Sequence, residues 1–264
     1  MIGICHIEPH ALLLTAPPVG QRLFKIMRPE HLTQSIEGAY LHFNRVDAYA
    51  DFTTADPNDG AELPRDRPSN QASSFEKAPD FTLSDYYARS RERTYACCFS
   101  SENSDYIWEV YGQGSSIGKV GLEFDFDKLR LMLNQQLAGE SALMCGDIQC
   151  QQIFSINYGL VSYVERSTHR TNAEQATNPI QYTYLKDHIY TPERELRITL
   201  AAPGMGRFML DEGREIVFPP TLQLAFDYRR AFAEGVISQI LVAPDTDRTF
   251  LTEELGRLGI SPAH

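Results

Sequence analysis

The chain has 264 residues, 42% of them hydrophobic and 22% charged, and a formal net charge of −11. That composition supplies a real core and excludes a disordered chain, while the acidic balance disfavours general binding to nucleic-acid phosphates or anionic membranes. An odd set of cysteines (Cys5, Cys97, Cys98, Cys145, Cys150) in a chain this long implies no disulfide framework and fits a reducing, cytoplasmic setting. No run approaches the roughly 18 apolar residues that cross a bilayer, and Ala11–Leu14 lacks the basic flank of a signal peptide.

Residues 1–20 hold two histidines, a cysteine and a Pro-Pro pair, and read as an N-terminal arm. Residues 21–264 read as a single α+β domain of mixed or antiparallel sheets with peripheral helices. Leu23–Met27 is a first strand. Pro29 then opens a helix over 30–37 that Gly38 stops, and Ala39–Phe43 alternates as a second strand. From 47 to 80 Asp, Pro, Asn and Ser dominate, which predicts a long polar loop. A short helix follows within 81–93, then a strand from Thr94 to Phe99 that ends at Ser100–Ser101. Asp105–Tyr111 reads as a helix, Lys119–Phe124 as a strand and 126–137 as an amphipathic helix on Leu129, Met132 and Leu133. Further strands are expected at 155–164, 196–200, 215–218 and 237–242, with a polar loop and helix over 172–184 and a last helix at 250–258. Cys97 and Cys98 read as buried small hydrophobes, and Gly112, Gly114 and Gly118 as a turn before a strand, not a dinucleotide fingerprint.

The Cys5–His10 segment has metal-ligand residue types, but Pro9 and its place in an arm argue against a metal site, and no metal is expected. Asp47, Asp51, Asp56 and Asp59 could meet a hard cation or simply cap loop amides. Glu193-Arg194-Glu195-Leu196-Arg197 is more informative. Strand periodicity puts both glutamates on one face, where paired acids could hold a sugar hydroxyl or a developing positive charge; an exposed edge strand would show the same spacing. Trp108 and Tyr111 share a helical face beside Tyr106, either as core or as a stacking platform.

In their order these pieces resemble a bacterial family labelled domain of unknown function 2971. The resemblance rests on Phe24-Lys25, Asp56-Pro57 with Asp59, Cys98-Phe99-Ser100, Trp108 with Tyr111, Gly118, Phe124-Asp125, then Lys186, Tyr190, Glu193-x-Glu195-x-Arg197 and Ile237–Val242. Thr54-Ala55-Asp56-Pro57 stands where the family has Phe-Asn-Asp-Pro. More distantly, the order of a basic first strand, a Phe-Ser strand end and a Glu-x-Glu strand resembles the ADP-ribosyltransferases. That resemblance implies a split sheet and NAD as substrate. Lys25 would be the basic first-strand residue, Ser100 the serine that orders the nicotinamide ribose, Glu195 the catalytic acid and Glu193 the acid that activates an acceptor. Tyr106, Trp108 or Tyr111 would cover the nicotinamide, and Arg28 or Lys186 would meet the pyrophosphate. Lys25 departs from the usual His or Arg, because its ammonium is a point charge with no planar fork.

The expectation is therefore an NAD-dependent ADP-ribosyltransferase-like enzyme, of the kind found among toxins and phage-defence effectors, acting on a macromolecular or small-molecule acceptor that the sequence does not name. A non-catalytic ligand-binding or interaction domain is the first alternative. A metal-dependent hydrolase using Asp56 and Asp59 is the second.

Overall fold

The computed structural model describes residues 6–51, 55–139, 143–171, 176–204, 206–209 and 213–260; Cys5, Thr54, residues 172–175 of the expected polar loop and the side chain of Asp51 lie outside them. The fold is α+β and built on one mixed sheet. Its strands are β1 (His6–Ile7), β2 (Arg22–Met27), β3 (Tyr40–Arg45), β4 (Thr94–Ser100), β5 (Val120–Asp125), β6 (Ser155–Leu160), β7 (Glu195–Ala201), β8 (Thr221–Ala225) and β9 (Ile237–Val242). The order runs β1-β6-β7-β4-β2-β5-β9, with β3 joined to β4 and β8 joined to β3. Only the short β1–β6 pairing is parallel.

One edge of β4 is shared, and this creates the site. Along its other edge β4 pairs with β7 throughout, from Thr94↔Ala201 to Ser100↔Glu195. The hydrogen bond from Ser101 N–H to the Arg194 carbonyl sets the ladder phase, so the main-chain groups of Ala96, Cys98 and Ser100 point to the shared edge. There Asn44 of β3 meets Ala96, and Phe24 of β2 meets Ser100. Between those two pairings the sheet is split, and Cys98 has no strand partner on this edge. Its carbonyl accepts from Lys25 Nζ at 3.0 Å instead. A buried acceptor left without a donor would be costly, so the lysine takes the place of a strand at the gap.

Alternation along β4 sends Tyr95, Cys97 and Phe99 into the main core, with Leu23, Phe43, Phe124, Leu196, Ile198 and Leu200. The helix Phe126–Ala138 covers that core with Leu129, Met132, Leu133 and Leu137, and Asp125 caps its first turn by accepting from Lys128 N–H. Trp108 lies across Gly121 of β5, where an added Cβ would come within 3.1 Å of the indole. It is half-buried there, outside the main core, and its Nε1–H donates to Asn103.

Several expectations are corrected. The N-terminal segment is tied to the sheet at two points: His6 and Ile7 pair with Ser155 and Ile156, and Thr15 bridges Leu160. The polar stretch 47–80 is a loop only in part, with turns over 55–66. It holds a helical turn (Val46–Asp51), a helix (Arg67–Ala72) and the hairpin strands Ser74–Phe75 and Ala78–Thr82. Polar side chains organise it. Glu62 accepts from Asn70, Ser84 and Arg67, and Asp66 accepts from Tyr182 and Thr171. Tyr87, on the helix Leu83–Arg91 capped by Thr82 and Asp85, stacks edge-on against Tyr182 at 4.9 Å. The helix Pro29–Glu37 does stop at Gly38, although Gly38 stays in the right-handed region and Ala39 takes the left-handed turn at φ 50°. No strand forms at 215–218. The Phe218 and Pro219 carbonyls are taken by Arg45 Nη1 and the Tyr95 hydroxyl, and the strand lies beyond the prolines at β8. The run 155–164 divides at Val161 into β6 and a short strand, Ser162–Val164, that pairs with Leu185–Asp187 in a separate sheet.

Candidate functional site

A cavity of about 620 Å³ opens at the split, within the size range of small-molecule and cofactor pockets. Its lining draws on both faces of the sheet: Cys97 and Phe99 from the core face, Cys98 and Ser100 from the other. Lys25, Ser100, Tyr111, Lys186, Glu193 and Glu195 all reach it. Arg28, Tyr106 and Trp108 are not among its lining residues, and Arg28 Nε is bonded to the Gln113 carbonyl at 2.6 Å.

The floor is a buried ion cluster centred on Arg197. This residue is 1% exposed, and all five of its N–H donors are used. Nε and Nη2 hold Glu195 at 2.8 and 3.0 Å. Nη1 and Nη2 hold the two oxygens of Asp59 at 2.5 and 2.6 Å, and Nη1 also donates to the Thr183 carbonyl. Cross-strand pairing explains the position: Arg197 faces Cys98 and Glu195 faces Ser100, all on one side of the sheet. Asp59 comes down from the polar segment above. That segment is fastened by Arg166, which donates to the Ala61 and Glu62 carbonyls, and by Arg91, which donates to those of Asp59 and Pro57.

Lys186 is the second cation. It is 5% exposed, lies over the Tyr190 ring and donates to Glu193 at 2.5 Å and Glu195 at 3.3 Å. It is therefore held by carboxylates within the protein while it lines the cavity. The two glutamates do come together, but not by strand alternation. Glu193 ends the helical turn His188–Glu193, Arg194 adopts the left-handed conformation at φ 47°, and Glu195 begins β7. The edge-strand reading fails as well, since β7 lies between β4 and β6 and both glutamates are buried.

Ser100 is also committed. Its hydroxyl lies 2.8 Å from the Glu102 carbonyl and 2.9 Å from that of Glu193, and it accepts from Glu102 N–H. It ties the end of β4 to the turn that presents Glu193.

Two cations face three carboxylates, so the cluster has one surplus negative charge when all are ionised. Burial opposes ionisation of Glu195, but Arg197 and Lys186 outweigh it and hold that carboxyl well below its ordinary range. Burial, and then the charge of Glu195 beside it, push Glu193 up to about 7. Burial raises the Asp59 carboxyl as well, so the surplus proton is held by the coupled cluster, with Glu193 its least paired member. Glu193 Oε1 accepts no hydrogen bond from the described residues, which leaves one carboxylate oxygen open at the cavity wall. Burial raises the thiol pKa of Cys98, and Glu195 raises it further, so this cysteine stays protonated and is no nucleophile. Burial, with the two glutamates nearby, likewise keeps the Tyr111 phenol neutral.

The acids 56 and 59 do not converge for a cation. Asp59 is saturated by Arg197, and Asp56 accepts from Asn58 N–H. Among the described residues the one trio with metal-ligand spacing is Glu165, Asp187 and His188, at a partly exposed site that includes neither acid. Within the N-terminal segment, Glu8 is bonded to Arg130 and Asn134.

The open carboxylate at the rim was legible as a Glu-x-Glu spacing. Arg197 as the hub was not, because its role depends on Asp59 arriving from far away in the chain. Nor was the contribution of Tyr49, whose hydroxyl reaches the Ala96 carbonyl and the Cys98 sulfur.

Fold and site thus define an α+β protein with a split sheet, a cavity in the split and an ion cluster on its floor. No family model, no curated protein and no solved structure matches the chain. No helix among the described residues is long and apolar enough to cross a membrane.

Proposed function

We propose that the cavity binds NAD and that the protein transfers its ADP-ribose unit to an acceptor, in the cytoplasm. The observation that carries this reading is the gathering of Lys25, Ser100, Glu193 and Glu195 around one cavity, although they are spread from β2 to β7. The reaction breaks the bond between nicotinamide nitrogen and ribose carbon, and nicotinamide leaves with the electron pair. The ribose becomes positively charged as the bond lengthens. Glu195, held ionised by Arg197 and Lys186, supplies a fixed negative charge in a water-poor site, where such a charge is most effective. Glu193, at about 7 and with one open oxygen, is suited to take the proton of the attacking acceptor. Lys25 sits at the mouth of the split as the nearest cation not consumed by a carboxylate, and Tyr111 offers a neutral ring on the wall.

One observation favours a second reading, a binding domain without chemistry. Both oxygens of Glu195 and the hydroxyl of Ser100 are already bonded inside the protein, so neither is free to grip a ribose hydroxyl without rearrangement.

The test is nicotinamide release from NAD by the wild type and by Glu195→Gln, with circular dichroism to establish that the variant is folded. The transferase reading expects release by the wild type and at least a hundredfold less by the variant, a loss on the order of one electrostatic contact at a transition state. Calorimetric binding of NAD without release would leave the binding-domain reading. Neither release nor binding would end both as NAD readings.

A further inference from the structure

A second pair of reactive side chains lies outside the cavity and takes no part in the function above. Met144–Cys145 and Ile148–Gln149 form an antiparallel hairpin that turns at Gly146, whose φ is 65°. Cys145 pairs with Ile148. One step further on, Cys150 donates its N–H to the Leu143 carbonyl, so the two cysteines are diagonal neighbours across the hairpin. Both thiols turn inward and are buried, while Met144, Gly146, Asp147 and Gln149 face out. The sulfur atoms lie 2.7 Å apart, near the roughly 2.05 Å of a disulfide bond.

We propose that Cys145 and Cys150 form a reversible disulfide, with a low-molecular-weight disulfide such as oxidised glutathione as the oxidant. Cys145, 4% exposed against 0% for Cys150, is the attacking residue. Its thiolate displaces one glutathione thiolate and forms a mixed disulfide. The Cys150 thiolate then attacks the Cys145 sulfur and releases the second glutathione. Two thiols lose two protons and two electrons, and one oxidised glutathione becomes two reduced ones. The Cys150 thiol also donates to the Leu143 carbonyl at 3.2 Å, which holds it behind Cys145. The Gly146 turn beside the pair is exposed, and nothing lies within 4 Å of its Cβ position. The hairpin is tied to the cavity wall, because Leu143 bridges Leu224, the neighbour of the cavity residue Gln223.

The experiment treats the folded full chain with oxidised glutathione, quenches it in denaturant with an alkylating reagent, digests it with trypsin and weighs the peptides. Both cysteines fall in the peptide from Leu131 to Arg166, while Cys97 and Cys98 fall in that from Thr94 to Lys119. The expected result is a Leu131–Arg166 peptide that has lost both alkylation sites and two hydrogens and regains both sites after dithiothreitol. Cys150→Ser should then trap glutathione on Cys145, and Cys145→Ser should trap at least tenfold less on Cys150. A wild-type peptide that remains doubly alkylated, or that carries glutathione without closing, would overturn the proposal. Equal trapping in the two variants would overturn the assignment of Cys145 as the attacker. The wild-type measurement stands even if a variant fails to fold.

Discussion

Glu193 gives the cluster a pH dependence whose sign and size follow from its position. The folded protein holds this carboxyl at about 7, against an ordinary value of 4.5, because it is buried next to Glu195. Between those values the native state keeps a proton that the unfolded chain has lost, so stability falls as pH rises through the window. A shift of about 2.5 units corresponds to a loss of roughly 3 kcal/mol across the window, most of it between pH 5 and 7. Glutamine mimics the protonated acid and can still accept from Lys186. Glu193→Gln should therefore lack this slope. Urea unfolding of both proteins at pH 5 and pH 8 isolates the effect, since groups common to the two cancel in the difference. The variant should gain about 2–3 kcal/mol on the wild type between the two pH values. Parallel pH dependence would refute the reasoning and place the surplus proton elsewhere in the cluster. Glu195 does not confuse the measurement: its pKa is depressed, so its contribution is lost only as pH falls below the ordinary carboxylate range.

Two further outcomes follow from the same geometry. Arg197→Met should cost about 3–5 kcal/mol in urea unfolding, because it leaves Asp59 and Glu195 buried without a shared cation; a loss below about 1 kcal/mol would mean that water already reaches the cluster. Lys25→Met keeps the stem beside the Phe99 ring but removes the donor to the Cys98 carbonyl, and should cost about 1 kcal/mol with an unchanged m-value. A neutral result there would show that the split needs no donor at its edge.

Much of the framework was readable from periodicity. The strands at 23–27, 94–100 and 237–242 and the helix at 126–138 carry apolar patterns strong enough to fix type and approximate ends. The polar segment 47–80 was misread because its order comes from side-chain hydrogen bonds, such as those to Glu62 and Asp66, which leave no apolar rhythm. The apparent strand at 215–218 failed for a related reason: the carbonyls of Phe218 and of Pro219 just beyond it found side-chain donors in Arg45 and Tyr95.

By itself, then, the chain determined the elements whose stability is local: alternating strands, an amphipathic helix and the pair of glutamates two residues apart. Tertiary structure alone decided that β4 would divide its edge between β2 and β3, that Lys25 would fill the gap, and that Asp59 would travel to Arg197. The physical reason is that a buried charge is stable only beside its counter-charge, and the partner that satisfies it is fixed by the path of the chain in space, which no local spacing records.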